Sequence, residues 1–89
     1  MAVESYRVSV IGSPTLLVRG GPNGNNIIVK NADTANTFDL GGVRVAYGSG
    51  FAMLAGDVDQ ITLAAGEELY AVASTGVTIV AHVIQKARA

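Results

Sequence analysis

The chain has 89 residues and a net charge of −1; 49% of its residues are apolar and only 15% are charged. It is therefore one small domain with more apolar side chain than it can hide within itself. It holds no cysteine and one histidine, His82, which excludes disulfides, thiolate metal sites and a zinc site built on histidines. The six basic residues, Arg7, Arg19, Lys30, Arg44, Lys86 and Arg88, are scattered along the sequence. That scatter argues against a nucleic-acid partner.

Tyr6 to Ile11 alternates apolar and polar positions, which predicts a half-buried strand. Gly12-Ser13-Pro14 ends it, because Pro14 has no N–H to give to a ladder. Thr15 to Arg19 is a second strand. Gly20 to Asn26, a run of Gly, Pro and Asn, is expected to be an exposed, flexible hairpin tip. It lacks the following helix and the Lys-Ser/Thr pair of a phosphate loop. Ile27 to Asn31 and Thr37 to Leu40 are short strands around a polar turn. Gly41-Gly42 precedes Val43 to Tyr47, whose alternation predicts a further strand. Phe51 to Leu54, Gln60 to Leu63, Leu69 to Ala73 and Val77 to Gln85 follow, each bounded by a glycine turn. Leu54-Ala55-Gly56-Asp57 and Leu63-Ala64-Ala65-Gly66-Glu67 echo each other as two similar turns. The resulting fold class is all-β: a small β-sandwich or barrel of about eight short, mostly antiparallel strands. Residues 1–89 form a single domain.

The last two strands have apolar residues on both faces. Val77, Ile79, Ala81 and Val83 oppose Thr78, Val80, His82 and Ile84; Leu69, Ala71 and Ala73 oppose Tyr70 and Val72. If the first set in each strand lines the core, the second set is too apolar for open solvent. Tyr70, Val72, Val80, His82 and Ile84 are therefore the expected subunit interface, unless the N-terminal segment covers them. A domain of this size buries only about 60–65% of its unfolded surface. Without disulfides or a metal, oligomerisation is the remaining support.

No constellation of catalytic residues stands out. His82 has no nucleophile or carboxylate assigned to it by the pattern. Asp57, Asp59, Glu67 and Glu68 sit at turns without the D-x-D-x-D-G spacing of a calcium loop. No enzymatic activity and no cofactor are expected. No apolar run reaches the roughly 18 residues of a membrane helix, so no membrane partner is expected. The start M-A-V-E-S-Y-R-V lacks the apolar run of a secretory signal, and synthesis in the cytoplasm is expected.

Taken together, four segments resemble small structural proteins of tailed bacteriophages. They are I-I-V-K-N-A-D-T-A-N-T-F-D-L-G-G, V-R-V-A-Y-G-S-G-F-A-M-L-A-G, I-T-L-A-A-G-E-E-L-Y-A-V-A-S and the closing V-T-I-V-A-H-V-I. The resemblance runs from about Ile27 to Ile84. It implies a small β-sandwich without catalytic residues. It also implies a virion protein on the capsid exterior, made in the bacterial host. Its partners would be the major capsid protein and further copies of itself, with a trimer favoured. A tail or head–tail joining component is the first alternative. A carbohydrate- or receptor-binding module on the virion is the second.

Overall fold

The computed structural model describes residues 3–87; Arg88 lies outside them. Eight strands follow in order: β1 (Val3–Val10), β2 (Thr15–Arg19), β3 (Asn25–Asn31), β4 (Phe38–Gly41), β5 (Phe51–Met53), β6 (Val58–Leu63), β7 (Glu68–Val72) and β8 (Ile79–Ala87). They build two antiparallel sheets of four strands. Sheet 1 has the order β1-β8-β3-β6 and sheet 2 the order β2-β7-β4-β5. The expected all-β sandwich is what the chain forms.

The pairing follows a simple rule. β1 pairs with β8, β2 with β7, β3 with β6 and β4 with β5. The chain is one long hairpin, folded at the β4–β5 loop and rolled up so that successive pairs alternate between the sheets. The β3–β8 and β4–β7 contacts complete each sheet. This is the strand arrangement of a jelly roll. Every connection except β4–β5 crosses from one sheet to the other.

The period-2 pattern sets which residues point inward. Ile27 and Val29 of β3, Ile79, Ala81 and Val83 of β8, and Leu69 and Ala71 of β7 are buried. Phe38 and Met53, register partners in β4 and β5, are among the largest fully buried side chains. Burying each contributes about 1.5–3 kcal/mol. In β2 a register shift lies between Leu16 and Val18, and Leu17 and Val18 are both buried. Such a bulge leaves backbone without a ladder partner. Here the Tyr6 hydroxyl, from the edge of sheet 1, donates to the Leu17 carbonyl at 2.7 Å. One hydrogen bond thus satisfies the bulge and ties the two sheet edges together.

Two expectations fail. Gly20 to Asn26 is not a free hairpin tip, because β2 and β3 lie in different sheets. It is a packed crossover, with Gly20, Gly24 and Asn25 buried. Gly20 N–H donates to the Glu67 carbonyl at 2.7 Å, and Gly66 N–H donates to the Gly20 carbonyl at 3.0 Å. A Cβ on Gly20 would lie 2.2 Å from the Ala64 carbonyl oxygen; one on Gly24 would lie 2.2 Å from that of Leu63. The glycines that suggested flexibility are there for close approach between crossovers.

Val43 to Tyr47 is not a strand either. The Asp39 carboxylate, 3% exposed, accepts from the N–H groups of Gly48 and Gly50, each at 3.0 Å. Val45 N–H donates to the Gly42 carbonyl at 3.0 Å. Those bonds curl residues 42–50 into a compact loop, and local hydrogen bonding overrides the alternation. The two similar turns do form. Asp57 N–H donates to the Leu54 carbonyl while Leu54 N–H donates to the Asp57 carboxylate, both at 2.9 Å. Ala64 and Glu67 exchange the same pair of bonds at 3.1 Å.

Gly24→Ala should therefore cost more than Gly56→Ala. Both have φ of 81°, but a Cβ at Gly56 meets open space. The left-handed conformation costs an alanine about 1–2 kcal/mol; at Gly24 the carbonyl clash comes on top. Urea unfolding of the two variants measures the difference. Asp39→Asn should cost about 1.5–3 kcal/mol, the range for hydrogen bonds to a charged group. Amide exchange at Gly48 and Gly50 should accelerate more than at β3 amides.

Candidate functional site

The five residues expected at a subunit interface do not lie on one face of the sandwich. β7 belongs to sheet 2 and β8 to sheet 1. Tyr70 and Val72 therefore lie on one side of the sandwich, and Val80, His82 and Ile84 on the other. Val72 is 3% exposed and presents nothing to a partner. It stands in register with Asp39, on the part of sheet 2 that the 42–50 loop folds against. Tyr70 is half-buried; its hydroxyl donates to the Glu68 carboxylate at 3.2 Å. Arg19 makes an ion pair with the same carboxylate. The Arg19 hydrogen bond holds the Glu68 carboxyl below its ordinary range. Burial and the nearby Glu68 charge push the Tyr70 hydroxyl up. The outer side of sheet 2 is thus covered by the loop on one part, and its charged groups are satisfied among themselves on another.

The outer side of sheet 1 is different. β1 pairs with β8 at the sheet's edge, so the N-terminal segment extends this face and does not cover it. Register places the outward residues in rows across the strands. One row reads Arg7, His82, Lys30, Val58; the next reads Ser5, Ile84, Ile28, Gln60; the third reads Val3, Lys86, Asn26, Thr62. Val80 stands beyond the first row, opposite Ser9. Ile84 is 44% exposed, and Ile28 and Val80 are each 39% exposed. No carboxylate occupies any outward position in these rows. Glu4 and Asp59 have the inward parity of their strands.

This arrangement gathers three of the chain's basic residues and its histidine on one face. The sequence hid that: Arg7, Lys30 and Lys86 are distant in the chain and become neighbours only through register. Directly opposed residues in antiparallel strands have Cβ atoms about 4.5–5.5 Å apart. Arg7 and Lys30 flank His82 on both sides. Among the described residues the Arg19–Glu68 pair is the ion pair found, so the sheet 1 cations have no carboxylate partner. Between β1 and β8 this face has a depression of about 280 Å³, lined by Ser5, Tyr6, Arg7, His82, Val83 and Ile84.

No group of three His, Asp or Glu residues able to hold a metal ion occurs among the described residues. The chemistry offered is hydrogen-bond donation from guanidinium, ammonium, imidazole and hydroxyl groups around an aliphatic centre. That is the chemistry of adhesion to an anionic, partly apolar surface. Of the aromatics, Phe38 is buried, Tyr6 and Tyr70 are half-buried, and Tyr47 and Phe51 are exposed on or beside the 42–50 loop. No family model matches the chain, and no curated protein matches it in sequence.

Val80→Glu and Val83→Glu separate the two faces of β8. Val80 is outward and Val83 is fully buried. Val80→Glu should change stability by no more than about 0.5 kcal/mol. Val83→Glu places an unpaired charge in the core and should unfold the chain. Circular dichroism with thermal melting of both variants checks this.

Proposed function

We propose that this protein is a structural component of a bacteriophage virion that decorates the outside of the capsid and reinforces it. The observation that carries the reading is the uncovered face of sheet 1, where exposed Ile28, Val80 and Ile84 stand among unpaired cations. It joins the phage-like pattern from Ile27 to Ile84. Jelly rolls recur in viral capsid proteins and in lectins, and a fold alone does not assign function. In this reading the mechanism is adhesive. The protein sits as a trimer at symmetry positions of the shell and bridges neighbouring copies of the major capsid protein. Val43 and Tyr47, exposed at the tip of the 42–50 loop, add a second contact. A specific interface buries about 800 Å² per partner, and several linked sites add avidity.

The exposed pair Tyr47 and Phe51 favours one other reading, a carbohydrate- or receptor-binding module, because exposed aromatics stack on sugar faces. Replacing both by alanine should leave shell binding through sheet 1 intact, whereas a sugar-binding module would lose its ligand.

Decoration has a direct test. Particles assembled without the protein should form normally but release DNA at a lower temperature. Adding it back should restore stability in proportion to occupancy, by mass action. Electron microscopy of whole particles should place many copies on the shell. A few copies confined to the tail or portal vertex would establish the tail alternative instead.

A further inference from the structure

We propose that the outer face of sheet 1 docks a carboxylate-bearing protein surface, with one Asp or Glu side chain of the partner seated in the depression between Ser5, Arg7, His82 and Ile84. The inference rests on the virion reading only for the partner's identity, the shell protein. The chemistry of the partner comes from the face itself.

Three features select this occupant. Arg7 and Lys30 flank His82 in a row with no carboxylate on its face, and Lys86 stands two rows away. A partner's carboxylates would supply the missing counter-charge. The depression of about 280 Å³ admits a side chain. Its rim offers a guanidinium fork, an imidazole N–H and a hydroxyl on one side and aliphatic Ile84 on the other. Finally, Ile84 and Ile28 are register partners at the centre of the face, so an apolar spot meets the partner between the charged rows.

A second copy of the same face does not fit. It would set Arg7, Lys30 and Lys86 against a surface that likewise has no outward carboxylate, leaving their charge unanswered. Nucleic acid fits less well than protein, because no aromatic side chain stands on the face to stack a base. The face is about 15–20 Å wide and about 20 Å long by strand spacing and rise. That is roughly half of a standard protein footprint, so a single copy binds weakly and tight attachment comes from several sites at once.

The test uses the full chain, isotopically labelled, and two capped peptides of alternating Val with Glu or with Lys. In nuclear magnetic resonance titrations the Glu peptide should shift amides of β1, β3 and β8 around Ser5, Arg7, Lys30 and His82. The Lys peptide should not. Raising NaCl from about 50 mM to about 500 mM should weaken binding several-fold. Arg7→Glu with Lys30→Glu should reduce affinity about tenfold or more; Arg7→Gln with Lys30→Gln serves if the double reversal fails to fold. Ile84→Ser should weaken binding without altering the salt dependence. Shifts confined to another surface, or equal response to both peptides, overturn the inference. So does stronger binding of a duplex DNA oligomer or of phosphatidylglycerol vesicles at equal salt. Dissolution of a self-associated species by Lys30→Glu or Ile84→Ser in sedimentation would assign the face to a sister copy. If the inference fails while the protein still maps to the shell, decoration stands through a different surface.

Discussion

One buried amide connects most of the fold. Asn31, at the end of β3, has no exposed surface. Its side-chain N–H groups donate to the Asn36 carbonyl at 2.9 Å and the Met53 carbonyl at 2.8 Å. Its side-chain oxygen accepts from Asp33 N–H at 2.9 Å. Its backbone exchanges bonds with Asp57 and Gly56. β3 belongs to sheet 1 and Met53 to sheet 2, so the side chain bridges the layers where the chain crosses between them. An aliphatic residue of the same size would leave two carbonyls and one N–H without partners there. Each buried group left unsatisfied costs about 1–3 kcal/mol. At the other end of β3, Asn25 accepts from Gly21 N–H at 3.0 Å and donates to Gln85 at 2.6 Å. A rolled hairpin has no helices to close its ends, and the two buried asparagines close them here.

Which parts of this were legible beforehand follows from the range of the interactions. Strand-length apolar runs and Gly-bounded turns depend on neighbours in sequence, and they read correctly across most of the chain. The Leu54–Asp57 and Ala64–Glu67 turns were legible for that reason. Val43 to Tyr47 misread because its alternation matches a strand, while its conformation is set by Asp39, which accepts from backbone as far away as Gly50. Gly20 to Asn26 misread because glycine signals both flexibility and close approach. Only the position of the Leu63–Ala64 backbone decides between them.

The expected interface residues divide between the two sheets for a topological reason. Within β8, the division between Ile79, Ala81, Val83 and Val80, His82, Ile84 is period 2 and needs no tertiary knowledge. Adding Tyr70 and Val72 assumed that sequential strands share a sheet. In a jelly roll they usually do not, because pairing links each strand to its mirror image in the chain. The same rule concealed the cations. Arg7 meets His82 because β1 pairs with β8, and Lys30 meets His82 because β3 does. Charges scattered in sequence can therefore form one surface, so the early argument from scatter described the chain and not its faces.

The two outer faces show what folding alone requires and what exceeds it. On sheet 2, Arg19 finds Glu68, Tyr70 donates to the same carboxylate, and a loop seals the part beside Val72 and Asp39. Arg19, Glu68 and Asp39 are each answered within the chain. Sheet 1 has comparable freedom, since Ser5, Gln60 and Thr62 show that neutral polar residues fit its outward positions. Yet opposed positions in β1, β8 and β3 hold Arg7, His82 and Lys30, and the adjacent row holds two exposed isoleucines. Unpaired charges and exposed aliphatic side chains add nothing to the stability of the isolated domain. A small domain has few kilocalories to lose: total stability is about 5–15 kcal/mol for proteins generally. On sheet 1 such residues stand together across three neighbouring strands. In the proposed docking, an anionic, partly apolar surface covers them and turns their contribution favourable.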